Sequence, residues 1–312
     1  MKRALLYVFL AIVLLYAVRA LLYEGLHRTK SGEFAKLRTV FEEKNNFDVI
    51  IIGSSRAECQ FYNPIIDSVT GLSSYNLGMT GATMPLIAAT LEAYLENSEP
   101  PKYVVLNIDL HSLSDNTDTV YLFPRYFAFL DNEKLYEGLV ARDKRFLYFK
   151  WLPFYSMPYY SNRYLSNSVR GWLNQPTKYD ADYEQGFAPS IRDTSWGDMD
   201  TATLIVANPD IPPAIWESTD QIREVCKANN CTLILVVSPL FHRKEACIPN
   251  YRESFDAFKF YAARHQLPFI DFGHDSIRFD KNMYADPAHL GKEGAKQFTR
   301  KFSAALMQYI RQ

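Results

Sequence analysis

Asp48-Val49-Ile50-Ile51-Ile52-Gly53-Ser54-Ser55-Arg56 is the stretch that decides the fold. The apolar run has the length of one short strand. It lacks the polar alternation of a half-exposed one, so it reads as a parallel strand buried on both faces. The small residues behind it let the chain turn sharply and present a hydroxyl at the strand's carboxyl end. That is the edge at which open α/β sheets bind ligands.

Working outward, strand and helix patterns alternate. Residues 74–77, 103–110, 232–238 and 268–272 are rich in β-formers, whereas 84–96, 216–229 and 294–311 carry helical periodicity. Alternation of this kind predicts an α/β domain with a parallel sheet covered by helices on both faces. The order breaks between about residues 113 and 213, where Tyr121, Phe123, Tyr126, Phe127, Phe129, Phe146, Tyr148, Phe149, Trp151, Phe154, Tyr155, Tyr159, Tyr160, Tyr164 and Trp172 crowd together. This is an aromatic-rich insertion at the ligand edge. It is suited to a satellite core, to a groove for sugar rings or acyl chains, or to contact with a membrane interface.

The chain has 312 residues, 48% hydrophobic and 22% charged, enough for one large domain. Its formal net charge of −1 argues against a nucleic-acid partner. Ala4 to Leu22 is apolar except for Arg19 and follows Lys2-Arg3. Its length, roughly 28 Å as a helix, matches the hydrocarbon core of a bilayer. Residues 1–23 therefore read as a single-pass transmembrane signal anchor, with 24–46 as a stalk and 47–312 as the domain. The leading charges place that domain outside the cytoplasm, in a periplasm or extracellular space. A cleaved signal peptide ending at Ala17-Val18-Arg19-Ala20 is the rival reading, and Arg19 suits a cleavage site poorly. Cys226 and Cys231 are spaced for a small disulfide loop, but with Cys59 and Cys247 they are equally suited to be buried thiols. No ligand spacing for a metal is present, and no cofactor is expected.

Near the C-terminus, Asp286-Pro287-Ala288-His289 supplies a base and a carboxylate to orient it, completing with the early serine a set for nucleophilic catalysis. The three-residue spacing suits a loop or a first helical turn. Arg56 is a candidate for binding a substrate anion, against a surface pairing with Glu58 or Glu92. His242, at the end of the 232–238 strand, is a candidate substrate contact. His111 has a surface reading beside a site reading, and His265 and His274 read as structural or solvated.

Together, strand-Gly53-Ser54-Ser55, Asn76-Leu77-Gly78-Met79-Thr80-Gly81 and Asp286-Pro287-Ala288-His289-Leu290 with Gly291 and Gly294 resemble the SGNH, or GDSL, hydrolase superfamily, from about Asp48 to the C-terminus. The resemblance implies a three-layer α/β/α fold with Ser55 as nucleophile, Ser54 as second choice, His289 as base and Asp286 as its partner. It implies an oxyanion hole from the backbone N–H groups of Ser55 and Gly81. The third block departs from the pattern: Asn107-Ile108-Asp109-Leu110-His111 offers Asp109 where an asparagine amide is expected. An ionised carboxylate cannot donate to an oxyanion, so asparagine at 109 should raise hydrolysis. The chain is also similar to membrane-anchored Gly-Ser-Ser proteins of teichoic-acid D-alanylation and alginate acetylation. That similarity implies esterase or acyltransferase chemistry on an acylated envelope glycan or ester, with envelope-assembly proteins as partners. The alternative is a weakly active or inactive scaffold in polysaccharide assembly. An α/β-hydrolase is disfavoured because that fold needs strands before its nucleophile elbow.

Overall fold

A computed structural model describes residues 1–113, 120–177, 183–190, 211–248 and 250–310. Five parallel strands form the central sheet: β1 Val49–Ile52, β2 Ser74–Asn76, β3 Tyr103–Asn107, β4 Thr232–Val237 and β5 Phe269–Asp271. Their spatial order is β2-β1-β3-β4-β5, with Val49 opposite Tyr103 and Tyr103 opposite Thr232. In this order the winding direction reverses between β1 and β3, which opens a crevice at their carboxyl ends. Ser54 and Ser55 follow β1, and Asp109 follows β3, so both border that crevice.

Successive side chains of the strands point to opposite faces, and each face has its own core. Ile50, Ile52, Val104, Leu106, Leu233, Leu235 and Val237 pack on one side. Val49, Ile51, Val105, Ile234 and Val236 pack on the other. The first side is covered by α2 (Gly32–Phe41), α5 (Met84–Leu95), α10 (Pro213–Ala228) and α12 (Tyr251–His265). The second is closed by α3 (Ser55–Gln60), α4 (Asn63–Thr70) and α13 (Lys292–Ile310). A helix of five residues, α11 (His242–Ala246), follows β4. The architecture is the α/β, three-layer one that the strand-helix alternation predicts.

Between β3 and α10 the described residues of the insertion form 3-10 helices over Phe123–Phe129 and Met157–Tyr159 and four α-helices. These are α6 (Glu133–Arg142), α7 (Phe146–Trp151), α8 (Pro153–Ser156) and α9 (Asn162–Trp172). Residues 114–119, 178–182 and 191–210 of the expected insertion lie outside the described residues. Its aromatics divide. Tyr126, Phe127, Phe129, Phe146, Phe149 and Tyr164 join the main core, whereas Tyr121, Tyr148, Trp151, Phe154, Tyr159 and Trp172 are exposed.

One expectation needs correction, and one open choice is decided. The segment 24–46 is not a stalk standing off the domain: Phe34, Leu37, Val40 and Phe41 are buried in the main core. Their spacing is one face of a helix, and that face needs a partner. The four cysteines are free and buried, so Cys226 and Cys231 form no disulfide. Burial pushes the Cys226 thiol up to about 12 and the Cys231 thiol to about 11, where neither is a nucleophile at neutral pH.

At the N-terminus a single continuous helix, α1 (Lys2–His27), carries the apolar run. It is long and apolar enough to cross a membrane and is largely exposed before Leu22.

Candidate active site

Gly53 makes the turn possible. Its φ of +149° is one that side-chain-bearing residues rarely adopt, and a Cβ there would lie 2.7 Å from the Ala57 Cβ and 2.9 Å from the Asn107 carbonyl oxygen. The chain therefore passes from β1 into α3 with β3 pressed against it. Ser55 opens α3, and its backbone N–H is among those of a first turn without an intrahelical acceptor.

Ser55 Oγ lies 2.9 Å from His289 Nε2, across 234 positions of sequence. The other ring nitrogen, Nδ1, lies 2.8 Å from Asp286 Oδ2 and 3.0 Å from Oδ1. With Nδ1–H donating to the carboxylate, Nε2 carries the lone pair and faces the serine hydroxyl. Asp286 and His289 are brought together by a hairpin, β6 (Tyr284–Asp286) and β7 (His289–Leu290), rather than by a helical turn. Asp286 Oδ1 also accepts from the backbone N–H groups of Ala288, at 2.7 Å, and His289, at 3.0 Å. This side-chain cap holds the tight turn that Pro287 begins. Burial alone would raise the Asp286 carboxyl, but His289 and the two amides hold it below its ordinary range.

Ser54 is placed for a different task. Its hydroxyl donates to Asp109 Oδ2 at 2.5 Å, and both residues are buried. Asp109 Oδ1 accepts from the N–H groups of His111, at 2.9 Å, and Ser112, at 3.1 Å. Asp109 thus ties the turn after β3 to the turn after β1. All its oxygens are engaged as acceptors, which explains a carboxylate where an amide was expected. His111 lines the same pocket.

That pocket has a volume of about 230 Å³. Ser55, Arg56, Asp109, Lys244, Tyr251 and His289 line it together with Leu110, Leu240, Ile248 and Ala288. The volume corresponds to roughly eight waters, enough for a short acyl group. Arg56 is not the surface cation expected from its neighbours: it is buried, donating to the Ser238 carbonyl at 2.5 Å and to the Tyr251 hydroxyl at 3.4 Å. Its Nε meets no partner. Burial opposes its charge, but the Tyr251 oxygen and the Asp109 carboxylate outweigh that and raise its pKa.

Two proposed site residues are placed elsewhere. His242 does not line the pocket: its Nδ1 faces the Arg278 carbonyl at 3.1 Å and its ring packs on Phe241 and Phe279. Gly81 is also absent from the lining. Its φ is +79°, its N–H meets no acceptor among the described residues, and the Tyr121 ring occupies the space a Cβ would need. Its loop is held from behind. Lys36 of α2 donates to Glu58 Oε1 at 2.9 Å and to the Gly78 carbonyl, while Glu58 Oε2 accepts from the Thr80 N–H at 2.9 Å and from the Thr80 hydroxyl. Sequence reasoning missed Tyr251, Lys244 and Lys36. None belongs to a motif: the fold brings Tyr251 and Lys244 to the pocket and sets Lys36 against Glu58 and the Gly78 carbonyl behind it.

No family model matches the chain, and no curated protein does. Among solved structures it is similar to a protein assigned to the G-D-S-L lipolytic family of Desulfitobacterium hafniense, at 10% identity and a TM-score of 0.44, over 83% of this chain and 99% of that one. It is similar to a psychrotrophic esterase of Pseudoalteromonas sp., at 10% identity and 0.44, over 85% and 100%. A GDSL-like lipase of Bacteroides thetaiotaomicron aligns at 12% identity and 0.40, over 85% and 89%.

Proposed function

We propose that the chain is a serine-dependent ester hydrolase or acyltransferase of the cell envelope, anchored by α1 with its domain outside the cytoplasm. The observation that carries this reading is the unbroken line Ser55 Oγ, His289 Nε2, His289 Nδ1, Asp286 Oδ2, with steps of 2.9 and 2.8 Å. His289 accepts the serine proton as Ser55 attacks an acyl carbonyl, Asp286 steadies the imidazolium, and His289 returns the proton to the leaving alcohol. Water or a glycan hydroxyl then takes the acyl group. The oxyanion is met by the Ser55 N–H, with the Gly81 N–H as the second donor that the family resemblance implies. Arg56 and Lys244 favour a substrate with negative charge near the scissile ester.

A second reading, an inactive scaffold, draws support from Asp109, which offers no donor to an oxyanion. Fluorophosphonate labelling of the full-length protein separates the two. Covalent modification of the wild type that is lost in Ser55→Ala is expected. A folded wild type that takes no label turns the reading to the scaffold. If label is taken, acceleration of acyl release by an envelope glycan acceptor marks transfer, and turnover indifferent to every acceptor marks hydrolysis.

A further inference from the structure

α9 is amphipathic in the reverse sense for a helix on a water-facing surface. Its inward face starts with Tyr164, packed in the main core, and continues with the small or polar Asn167, Ser168 and Gly171, all buried. There α1 and α9 approach so closely that a Cβ on Gly25 would strike Ser168 and one on Gly171 would strike the Gly25 carbonyl. Its outward face carries Leu165, Val169 and Leu173, spaced four residues apart and 47%, 57% and 61% exposed. Small residues inside and apolar residues outside are how helices pair when lipid surrounds them. No described residue covers the outward stripe.

The junction of α7 and α8 repeats this display with Trp151 and Phe154, 62% and 59% exposed. Both regions are fastened to α1 near its carboxyl end. Tyr16 donates its hydroxyl to the Trp151 carbonyl at 2.6 Å, Arg19 donates to the Lys150 carbonyl at 3.0 Å, and Trp172 Nε1 donates to the Leu21 carbonyl at 2.9 Å. The one charge in the apolar run, Arg19, is thereby accounted for. From Tyr16 to Leu22 the helix rises roughly 9 Å. An interfacial element sinks about 5–10 Å into the boundary between headgroups and acyl chains, so the depths agree. Cations accompany the rings, with Arg28 4.1 Å from the Trp172 centroid and Lys150 5.5 Å from that of Trp151. Aromatic residues beside arginine and lysine are the composition of a membrane interface.

We propose that the insertion is a second membrane contact: the outward stripe of α9 and the Trp151–Phe154 corner sink into the non-cytoplasmic interface of the bilayer that α1 crosses. The domain is then seated on the lipid at a fixed height instead of swinging on a tether. This rests on α1 being an uncleaved anchor.

The test uses the full-length protein in phosphatidylethanolamine/phosphatidylglycerol vesicles with and without brominated acyl chains. In a Trp196→Phe background, which leaves Trp151, Trp172 and Trp216, tryptophan emission should be quenched by the brominated lipid, and adding Trp151→Phe with Trp172→Phe should remove most of that quenching, because Trp216 is stacked on Phe258 and Tyr261 in the domain. Leu165→Glu with Val169→Glu, both at exposed positions, should lower the quenching of Trp151 and Trp172 while the protein stays vesicle-bound and fluorophosphonate labelling is unchanged. Protein that co-sediments with vesicles after a high-salt wash but shows equal emission in both lipids overturns the seat and leaves the anchor. Protein that washes off overturns both.

Discussion

Two buried charges stand two residues apart on α3 and are treated in opposite ways. Glu58, on the side away from the pocket, is met by Lys36 at 2.9 Å and by two donors from Thr80. Beside it Arg125 meets Glu33 at 3.4 Å, also buried. Arg56, on the pocket side, has only a carbonyl and a phenol oxygen, and no carboxylate lies within ion-pair distance of it among the described residues. Charges that only hold the fold together are neutralised in place, because an unpaired buried ion costs several kcal/mol. A cation left with neutral acceptors in the lining of a cavity that also holds a serine and a histidine has capacity to spare for a ligand.

The sharpest break between the two sides concerns the chemistry itself. Asp286→Asn should lower turnover by about 10⁴-fold through the wrong histidine tautomer, while leaving the Lys36–Glu58 side intact, as single-turnover kinetics and thermal melts on one sample would read. The same variant has a pH signature. Because the folded Asp286 carboxyl lies below its ordinary range, its ionisation stabilises the folded chain above that range, and the contribution disappears as pH falls through the depressed value. Stability curves of wild type and Asp286→Asn should therefore converge in acid. Curves that stay parallel would show that Asp286 titrates alike in both states.

Next in size is the paired side. Lys36→Met leaves Glu58 buried without its cation and should cost about 3–5 kcal/mol in urea denaturation. It should also loosen the loop holding Gly81, through the lost bond to the Gly78 carbonyl. A change below about 1 kcal/mol would mean that the pair is solvated and the contrast with Arg56 false.

Arg56→Met should do the reverse. Stability should move by no more than about 1 kcal/mol, since the buried Asp109 carboxylate keeps its donors from Ser54, His111 and Ser112. KM for an ester bearing a carboxylate or phosphate should rise roughly tenfold, the worth of one charged hydrogen bond, with a neutral ester of the same size unaffected. Equal losses on both esters would make Arg56 a packing residue. The smallest effect belongs to Asp109→Asn. Its carbonyl oxygen can keep the His111 and Ser112 amides while its NH₂ turns to Ser54, so a loss of about 1 kcal/mol or less is expected and no gain in hydrolysis. A faster enzyme would show that the new amide reaches the oxyanion after all, as the sequence pattern alone suggested.

Periodicity and residue chemistry were enough to read the parallel sheet and the turn after Ile52, and the family resemblance pointed to Ser55, Asp286 and His289. A buried strand must be continuously apolar, a sharp strand-to-helix turn needs glycine, and an Asp three residues before a His reaches its ring through local backbone alone. The segment 24–46 was misread because charged residues masked a narrow apolar stripe, whose function appears only when the sheet that it covers is present. Of the two readings of Arg56, the surface pairing fails for the opposite reason: its neighbours in sequence suggested carboxylate partners, and burial against Tyr251 denied them. The aromatic insertion was the least legible, because an aromatic ring has the same composition whether it faces a core, a groove or lipid.

What the sequence by itself determined is whatever depends on spacing along the chain: strand, turn, the Asp-His pair, and an apolar helix of membrane length. What only the tertiary structure decided is whatever depends on neighbours far apart in the chain. Ser54 became the partner of Asp109 across 55 positions, Lys36 the counter-ion of Glu58 across 22, and Arg19 a clasp on the insertion across 131. The physical reason is that the energy of a buried polar group is set by the acceptor and the dielectric that it meets. Those are properties of the packed interior, and no local pattern encodes them.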